Sequence, residues 1–201
     1  RLLALNQSKA QTAPEEYAQC VNDLAEMYIE AGENDQAESV LSEAIEQMEG
    51  PQGQLPPQVA YLLNNLAWLI AEQERYEEAC DLLDYALALS ENDEDCSDES
   101  VATRLYNLGT MEIKCGYFEE ALDHLRESLE IYKDIPEIED EDIADVLFEL
   151  AHCYYSLKQF PAAIKPLEQA IAIYKEISDA EKHEHPRLSE AIAHLADIKN
   201  R

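Results

Sequence analysis

The histidines, cysteines and clustered carboxylates of this chain are the residues able to do chemistry, and each group has a specific demand to meet. His183-Glu-His185 sets two imidazoles two residues apart, as the start of a zinc site would. Zinc takes at least three protein ligands even at a catalytic centre, and neither a cysteine nor a third histidine lies near this pair. The segment is expected to be a polar linker ahead of Pro186. His152-Cys153 puts a base beside a thiol, but neighbours on a helix point about 100° apart and cannot share a proton. Glu91-Asn-Asp-Glu-Asp-Cys-Ser-Asp-Glu99 and Glu137-Ile-Glu-Asp-Glu-Asp142 gather hard oxygen donors. A calcium loop also needs a central Gly and a terminal bidentate Glu; the first run lacks the Gly and has Arg104 where the Glu is required. Both runs are expected to be solvated acidic loops, with docking of basic proteins as their alternative use. No Gly-rich phosphate loop, Gly-x-Ser-x-Gly or His-Glu-x-x-His occurs, so the expectation is a protein that is no enzyme and holds no metal or cofactor.

Charge narrows the partner class. The 201 residues carry 44 acidic and 14 basic side chains, a formal charge of −30. Such a surface repels nucleic-acid backbones and anionic membranes and favours a Lys/Arg-rich protein or peptide. With 46% hydrophobic residues and 11 Tyr the chain is expected to fold all the same, because disordered chains of high charge are poor in both. No stretch reaches the roughly 18 apolar residues of a membrane span, and Arg1-Leu-Leu-Ala-Leu5 is too short for a signal peptide core. A start at Arg1 rather than Met is what a trimmed chain would show. Cys20, Cys80, Cys96, Cys115 and Cys153 are odd in number without a Cys-x-x-Cys pair. They read as free thiols in a reducing, cytoplasmic compartment, Cys20 and Cys153 as small core residues and Cys96 as exposed.

A repeat sets the elements that carry these residues. Leu24-Ala25, Leu66-Ala67, Leu108-Gly109 and Leu150-Ala151 recur every 42 residues, and Leu195-Ala196 follows after 45. Ala37, Ala79, Ala121 and Ala163 keep the same 42-residue step, and seven residues after each stand Ala44, Ala86, Ser128 and Ala170. Asn34, Tyr76, Phe118 and Phe160 come three residues ahead of that series, and Leu41, Leu83, Leu125 and Leu167 four behind, offsets that share one helix face. Each repeat thus reads as two antiparallel helices. The predicted pairs are 15–31 with 34–49, 58–72 with 75–90, 100–114 with 117–134, and 142–157 with 160–178, followed by a single helix at 187–199. Gly32 and Gly116 mark two of the turns, and Glu74 and Lys158 stand in the others. The small residues let paired helices approach; larger ones would overpack the contact at a cost of about 1–3 kcal/mol.

One hairpin cannot bury its apolar face alone, so repeats must stack, and a constant offset between them makes a superhelix with a concave groove. The expected fold is all-α: an α-α superhelix of about four helix pairs. Residues 1–14 form an N-terminal segment, the end of a preceding helix; the repeats span 15–57, 58–99, 100–141 and 142–186, and residues 187–201 make a capping helix or a partial fifth repeat.

These residues resemble the tetratricopeptide repeat: Leu-small in the first helix, aromatic then small opening the second, and a further small residue seven on. The ordinary repeat of that family is about 34 residues. The 42-residue period, with Pro57-Gln-Val-Ala60, Leu63-Asn-Asn-Leu-Ala67 and His185-Pro-Arg-Leu188, is similar to the kinesin-light-chain type. The resemblance implies an α-solenoid that binds proteins or peptides along its inner face.

If first helices line that groove, its readable residues follow by register. The first repeat offers Gln19, Asn22, Asp23, Glu26 and Glu30, and the second Tyr61, Asn64, Asn65, Trp68 and Glu72. The third offers Thr103, Tyr106, Asn107, Thr110 and Lys114, and the fourth Asp145, Phe148, Glu149, His152 and Tyr155. Asn65 and Asn107 precede the Leu of their repeats, where related proteins use asparagines to grip a peptide backbone; an amide offers a donor and an acceptor at once. Tyr61, Trp68, Tyr106, Phe148 and Tyr155 are the expected apolar anchors. Asp23, Glu26, Asp145 and Glu149 would select Lys or Arg. From Ala10 to Glu74 there are 13 carboxylates and no Lys or Arg, so this half attracts cationic segments. The family's carboxylate clamp for chaperone C-termini uses Lys, Asn, Asn, Lys and Arg at places held here by Asn22, Glu26, Asn65, Thr103 and Asn107, or by Asn64, Trp68, Asn107, Asp145 and Glu149. Only the middle Asn survives and no cation is present, so a terminal carboxylate is not the ligand. The expected function is a protein–protein scaffold or adaptor binding a basic or backbone-gripped peptide. The alternative is a regulatory or assembly module, self-associating through its end helices or controlling a neighbouring domain.

Overall fold

The computed structural model describes residues 9–10, 12–91, 93 and 96–200, and every regular element among them is an α-helix. The chain divides into two compact units, Arg1–Cys96 and Ser97–Arg201. The N-terminal unit contains α1 (Pro14–Glu30), α2 (Asn34–Met48), α3 (Val59–Glu72) and α4 (Tyr76–Glu91). Here α1 packs on α2, α3 on α4, and α3 also lies against both α1 and α2. The C-terminal unit contains α5 (Asp98–Cys115), α6 (Phe118–Asp134), α7 (Asp140–Ser156), α8 (Phe160–Glu181) and α9 (Leu188–Lys199). In it α5 pairs with α6, α7 with α8, and α9 closes against α8. No described helix is long and apolar enough to cross a membrane.

The helix ends follow from local chemistry. Ser97 accepts a hydrogen bond from the Ser100 N–H, with Asp98 and Glu99 in the first turn, so α5 starts two residues earlier than the periodicity predicts. The four hairpin turns share one geometry. Gly32 donates its N–H to Ile29 O and Glu33 to Tyr28 O; Gly116 donates to Ile113 O and Tyr117 to Glu112 O. Glu74 with Arg75, and Lys158 with Gln159, repeat the same pair of bonds onto Ala71 and Ile70, and onto Tyr155 and Tyr154. This is the Schellman closure, which needs a left-handed residue at its first donor. Gly32 and Gly116 take it at φ 73° and 85° without strain, whereas Glu74 and Lys158 are held there at 62° and 60°.

The recurring small residues sit in the helix–helix contacts, with Ala25, Ala37, Ala67, Ala79, Ala121 and Ala163 all fully buried. At Gly109 the approach is closest: a Cβ there would stand 2.7 Å from Leu125 Cγ. Polar latches join the pairs. Tyr17 Oη donates to Gln47 Oε1 (2.8 Å) between α1 and α2. Tyr132 Oη meets the Thr103 hydroxyl (2.9 Å) between α5 and α6, and one repeat later Tyr174 Oη donates to Asp145 (2.6 Å) between α7 and α8.

Four expectations need correction. Cys153 is buried, but Cys20 is exposed, and Cys96, expected to be exposed, is half-buried. His185 is no solvated linker residue: it is buried, stacked on Tyr174 with ring centroids 4.2 Å apart. The helix predicted to end at 178 continues to Glu181. The segment placed before the first repeat falls largely outside the described residues, as do 92, 94 and 95 of the first acidic run.

Candidate peptide-binding faces

In the N-terminal unit the predicted residues of α1 and α3 come together. Asn65 on α3 donates its amide to Asn22 Oδ1 on α1. Asn22 donates onward to Glu26 (2.7 Å), Asn64 donates to Asn65 Oδ1 (3.4 Å), and Gln19 donates to Asp23 (2.8 Å). This amide chain ties the two first helices together and fixes the direction of two carboxylates. Asp23 and Glu26 are exposed, and Tyr61 and Trp68 are 56% and 40% exposed. Beside the amide chain a cleft of about 170 Å³ opens between the helices, lined by Glu15, Ala18, Gln19, Asn22, Gln58 and Tyr61. With no Lys or Arg from residue 10 to 74, every charged side chain of α1 and α3 is an acid.

The C-terminal unit treats its predicted residues differently. Asp145, Phe148, Glu149 and Tyr106 surround a residue from the same chain, Arg187, which immediately precedes α9. Its Nη1 lies 3.2 Å from Glu149 and 3.4 Å from Asp145, and the guanidinium sits 5.5 Å from the centre of the Phe148 ring. Asp145 and Glu149 therefore hold a cation already, which corrects the expectation that they select one from a partner. Phe148 is buried and stacked on His194 of α9 (centroids 5.9 Å), so it is not an open anchor. Tyr155 also stacks on His194 (5.7 Å) and donates to Asp197 (2.6 Å). Thr103 and Asp145 bond tyrosines of their own second helices, Thr103 from an exposed position and Asp145 from a half-buried one. Asn107 and Thr110 are buried, Thr110 turning its hydroxyl onto the Tyr106 carbonyl (2.9 Å). His152 directs Nδ1 to Glu149 (3.7 Å) and away from Cys153.

Burial dominates the electrostatics of this cluster. It pushes the Tyr106 hydroxyl up to about 12, against the opposing pull of Arg187. It raises Asp145 above the usual carboxylate range although the Tyr174 hydrogen bond and Arg187 act the other way. Burial also raises Tyr174, as does its bond to Asp145, and pushes the Cys153 thiol up to about 12, which makes it inert as a nucleophile. For Arg187 burial would lower the pKa, but Tyr106, Asp145 and Glu149 overrule it and keep the guanidinium charged. The loop before α9 is held as well: the Arg187 N–H donates to His185 Nδ1 (3.2 Å), which leaves the proton on Nε2, 3.0 Å from Glu141.

Arg187, His185, His194 and Tyr174 were not among the predicted site residues. The signal for His185 and Arg187 was present in His185-Pro-Arg-Leu188, where a rare cation in a chain of charge −30 stands one repeat after Asp145.

A family model for the tetratricopeptide repeat matches residues 58–134 and again 100–176, together more than half of the chain. No curated protein sequence matches. Among solved structures, BtubC (BKLC) from P. vanneervenii is similar over 92% of this chain and 73% of its own, with a TM-score of 0.71 at 23% identity. The nearly identical kinesin-light-chain TPR-like repeats of Podosopora anserina are similar over 92% of this chain and 87% of theirs, with a TM-score of 0.69 at 20% identity. The Cut9–Hcn1 hetero-tetramer of the APC/C gives a TM-score of 0.68 at 20% identity over 90% of this chain and 29% of that one. At these identities the likeness is one of fold.

Proposed function

Because the chain belongs to the tetratricopeptide repeat family, we propose that it is a protein–protein interaction scaffold whose N-terminal unit holds a basic, extended segment of a partner across α1 and α3. The α1–α3 face carries this reading, because among the described residues it combines oriented carboxylates, two exposed aromatic residues and amides bridging the helices. Asn22, Asn64 and Asn65 meet the partner's backbone, Tyr61 and Trp68 anchor apolar side chains, and Asp23 and Glu26 select Lys or Arg. A neighbour in fold, Cut9, was crystallised with a protein partner, Hcn1. In the C-terminal unit, Tyr106, Asn107, Thr110, Asp145, Phe148 and Glu149 are buried or half-buried in packing, which leaves Thr103 exposed but bonded to Tyr132, and His152 and Tyr155 half-buried at its margin.

The test compares wild type with the Asn65→Ala, Trp68→Ala variant in capture of partners from a native lysate at low and moderate salt. A partner that is lost with the variant and weakened by salt supports the face, provided the helical circular dichroism is unchanged. A partner that the well-folded variant retains refutes it. Asn107 is left out of the variant because it is buried.

A second reading, assembly through the end helix, is favoured by α9, where Ile192 is 44% exposed and Ala196, one turn on, is exposed too. Sedimentation over a range of concentrations tests it, and a constant monomer mass removes it.

A further inference from the structure

The seat that holds Arg187 has a counterpart in the N-terminal unit, and there it is open. Three 42-residue steps carry Glu15, Gln19, Asn22 and Asp23 of α1 onto Glu141, Asp145, Phe148 and Glu149 of α7. The same repeat, with its last step of 45, carries Pro57-Gln58 onto Pro186-Arg187. The backbone obeys this register. Gln58 and Arg187 each stand immediately before a first helix in right-handed dihedrals, φ −59°, ψ −19° and φ −87°, ψ −8°. Val59 N–H donates to Pro56 O and Leu188 N–H to His185 O, both at 3.0 Å. In the C-terminal unit the residue at this point is a long cation whose head lies between the acids of the preceding first helix. In the N-terminal unit it is a shorter, neutral glutamine, and the 170 Å³ cleft remains.

We propose that the α1–α3 cleft receives the guanidinium of an arginine in the partner segment, in the place that Arg187 occupies in the C-terminal unit. The inference rests on reading α1–α3 as the peptide-binding face and adds the side chain that the face selects. Charge fits this occupant: Glu15 lines the cleft, and Gln19 and Asn22 hold Asp23 and Glu26 beside it at 2.8 and 2.7 Å. Shape separates arginine from lysine. Phe148 lies under Arg187, and its register equivalent is Asn22, so the ring that lines the N-terminal cleft is that of Tyr61 from α3. A planar guanidinium stacks on such a ring, whereas a strongly hydrated ammonium gains less.

The experiment titrates the full chain with Nα-acetyl-arginine methylamide, followed by two-dimensional NMR of backbone and side-chain amides. The lysine and citrulline analogues serve as controls. A Gln58→Arg variant supplies the arginine from within the chain and should fill the cleft as Arg187 fills its own. Expected are saturable shifts at the Gln19, Asn22 and Gln58 side-chain amides and at the Tyr61 N–H. The arginine probe should bind at least about threefold more tightly than lysine, and citrulline should not saturate. In Gln58→Arg the arginine response at Gln19, Asn22 and Tyr61 should weaken by at least about tenfold. The proposal is overturned if residues 96–99 and 137–142 respond as strongly as the cleft, since attraction to the net charge would then explain everything. It is equally overturned if Gln58→Arg binds the probe as wild type does. Partner capture that depends on Asn65 and Trp68 alongside an arginine probe that never saturates would leave the peptide-binding face standing and remove the arginine seat.

Discussion

Replacing Arg187 by methionine keeps an aliphatic stem over Phe148 and removes the positive charge from between Asp145 and Glu149. Breaking a fully buried ion pair by deleting one partner costs about 3–5 kcal/mol, because the remaining charge is stranded. Here the side chains of Arg187, Asp145 and Glu149 are 31%, 25% and 10% exposed. Partial solvation therefore trims the loss to about 2–3 kcal/mol. The penalty is tied to ionised carboxylates, so it must depend on pH. Asp145 already titrates above its ordinary value, and loss of Arg187, which lowers that value, moves it higher still. A carboxyl whose folded pKa is raised contributes stability that is full below its unfolded pKa and is lost as pH rises through the folded one. The deficit of Arg187→Met should consequently be largest at pH 7 and shrink towards pH 5. Urea unfolding followed at 222 nm at both pH values measures the loss, and hydrogen exchange of the α9 amides localises it. A deficit below about 0.5 kcal/mol at pH 7, the size of an ordinary surface substitution, refutes the reasoning. So does a deficit that is the same at pH 5.

In wild type, both Asp142 and Asp145 are raised, chiefly by burial and, for Asp142, by neighbouring carboxylates. By the same linkage the thermal midpoint should be higher at pH 5 than at pH 7.5, and a lower midpoint at pH 5 would contradict it. Lys158→Gly releases a left-handed residue from strain while loosening the unfolded chain. We expect a net gain of about 0.5 kcal/mol in urea unfolding, against a loss if the αL geometry carries no strain. Gly109→Val adds a branched side chain where even one Cβ stands 2.7 Å from Leu125 Cγ. A loss of about 2–3 kcal/mol is expected, and near-neutral unfolding would show that α5 and α6 can separate freely.

Much of this architecture is legible in the chain because the repeat reports it several times over. Leu66-Ala67 and Leu150-Ala151 fix a first helix and its contact face, Ala79 and Leu83 the second, and Gly32 and Gly116 the turns. The misplaced site residues share a different cause. Whether Thr103 and Asp145 are left to the groove or bond the paired helix is decided by a fraction of a helical turn, which periodicity does not resolve; the tyrosines at 132 and 174 decide it. Phe148 and Glu149 were read from their own helix alone, while the residue that covers them lies about one repeat downstream. Cys20 looked like core by its type, yet it occupies an outward position of α1. On the N-terminal unit the sequence reading brought Asn22, Asn64 and Asn65 to one surface, where they are joined by hydrogen bonds.

Arg187 reaches its seat on a tether of only a few residues beyond α8. Its effective concentration there is set by geometry, in the millimolar range or above, and not by the supply of ligand. A free arginine-bearing segment must outcompete that internal occupant before the C-terminal unit can accept it. Any ligand strong enough to do so would free the Arg187–His185 loop and loosen α9, so occupancy of this seat and local opening of the last helix are thermodynamically one event. On the proposed reading, two copies of one repeat thereby acquire different thresholds for the same chemistry, the first open to an incoming arginine and the second silent until its own side chain is displaced.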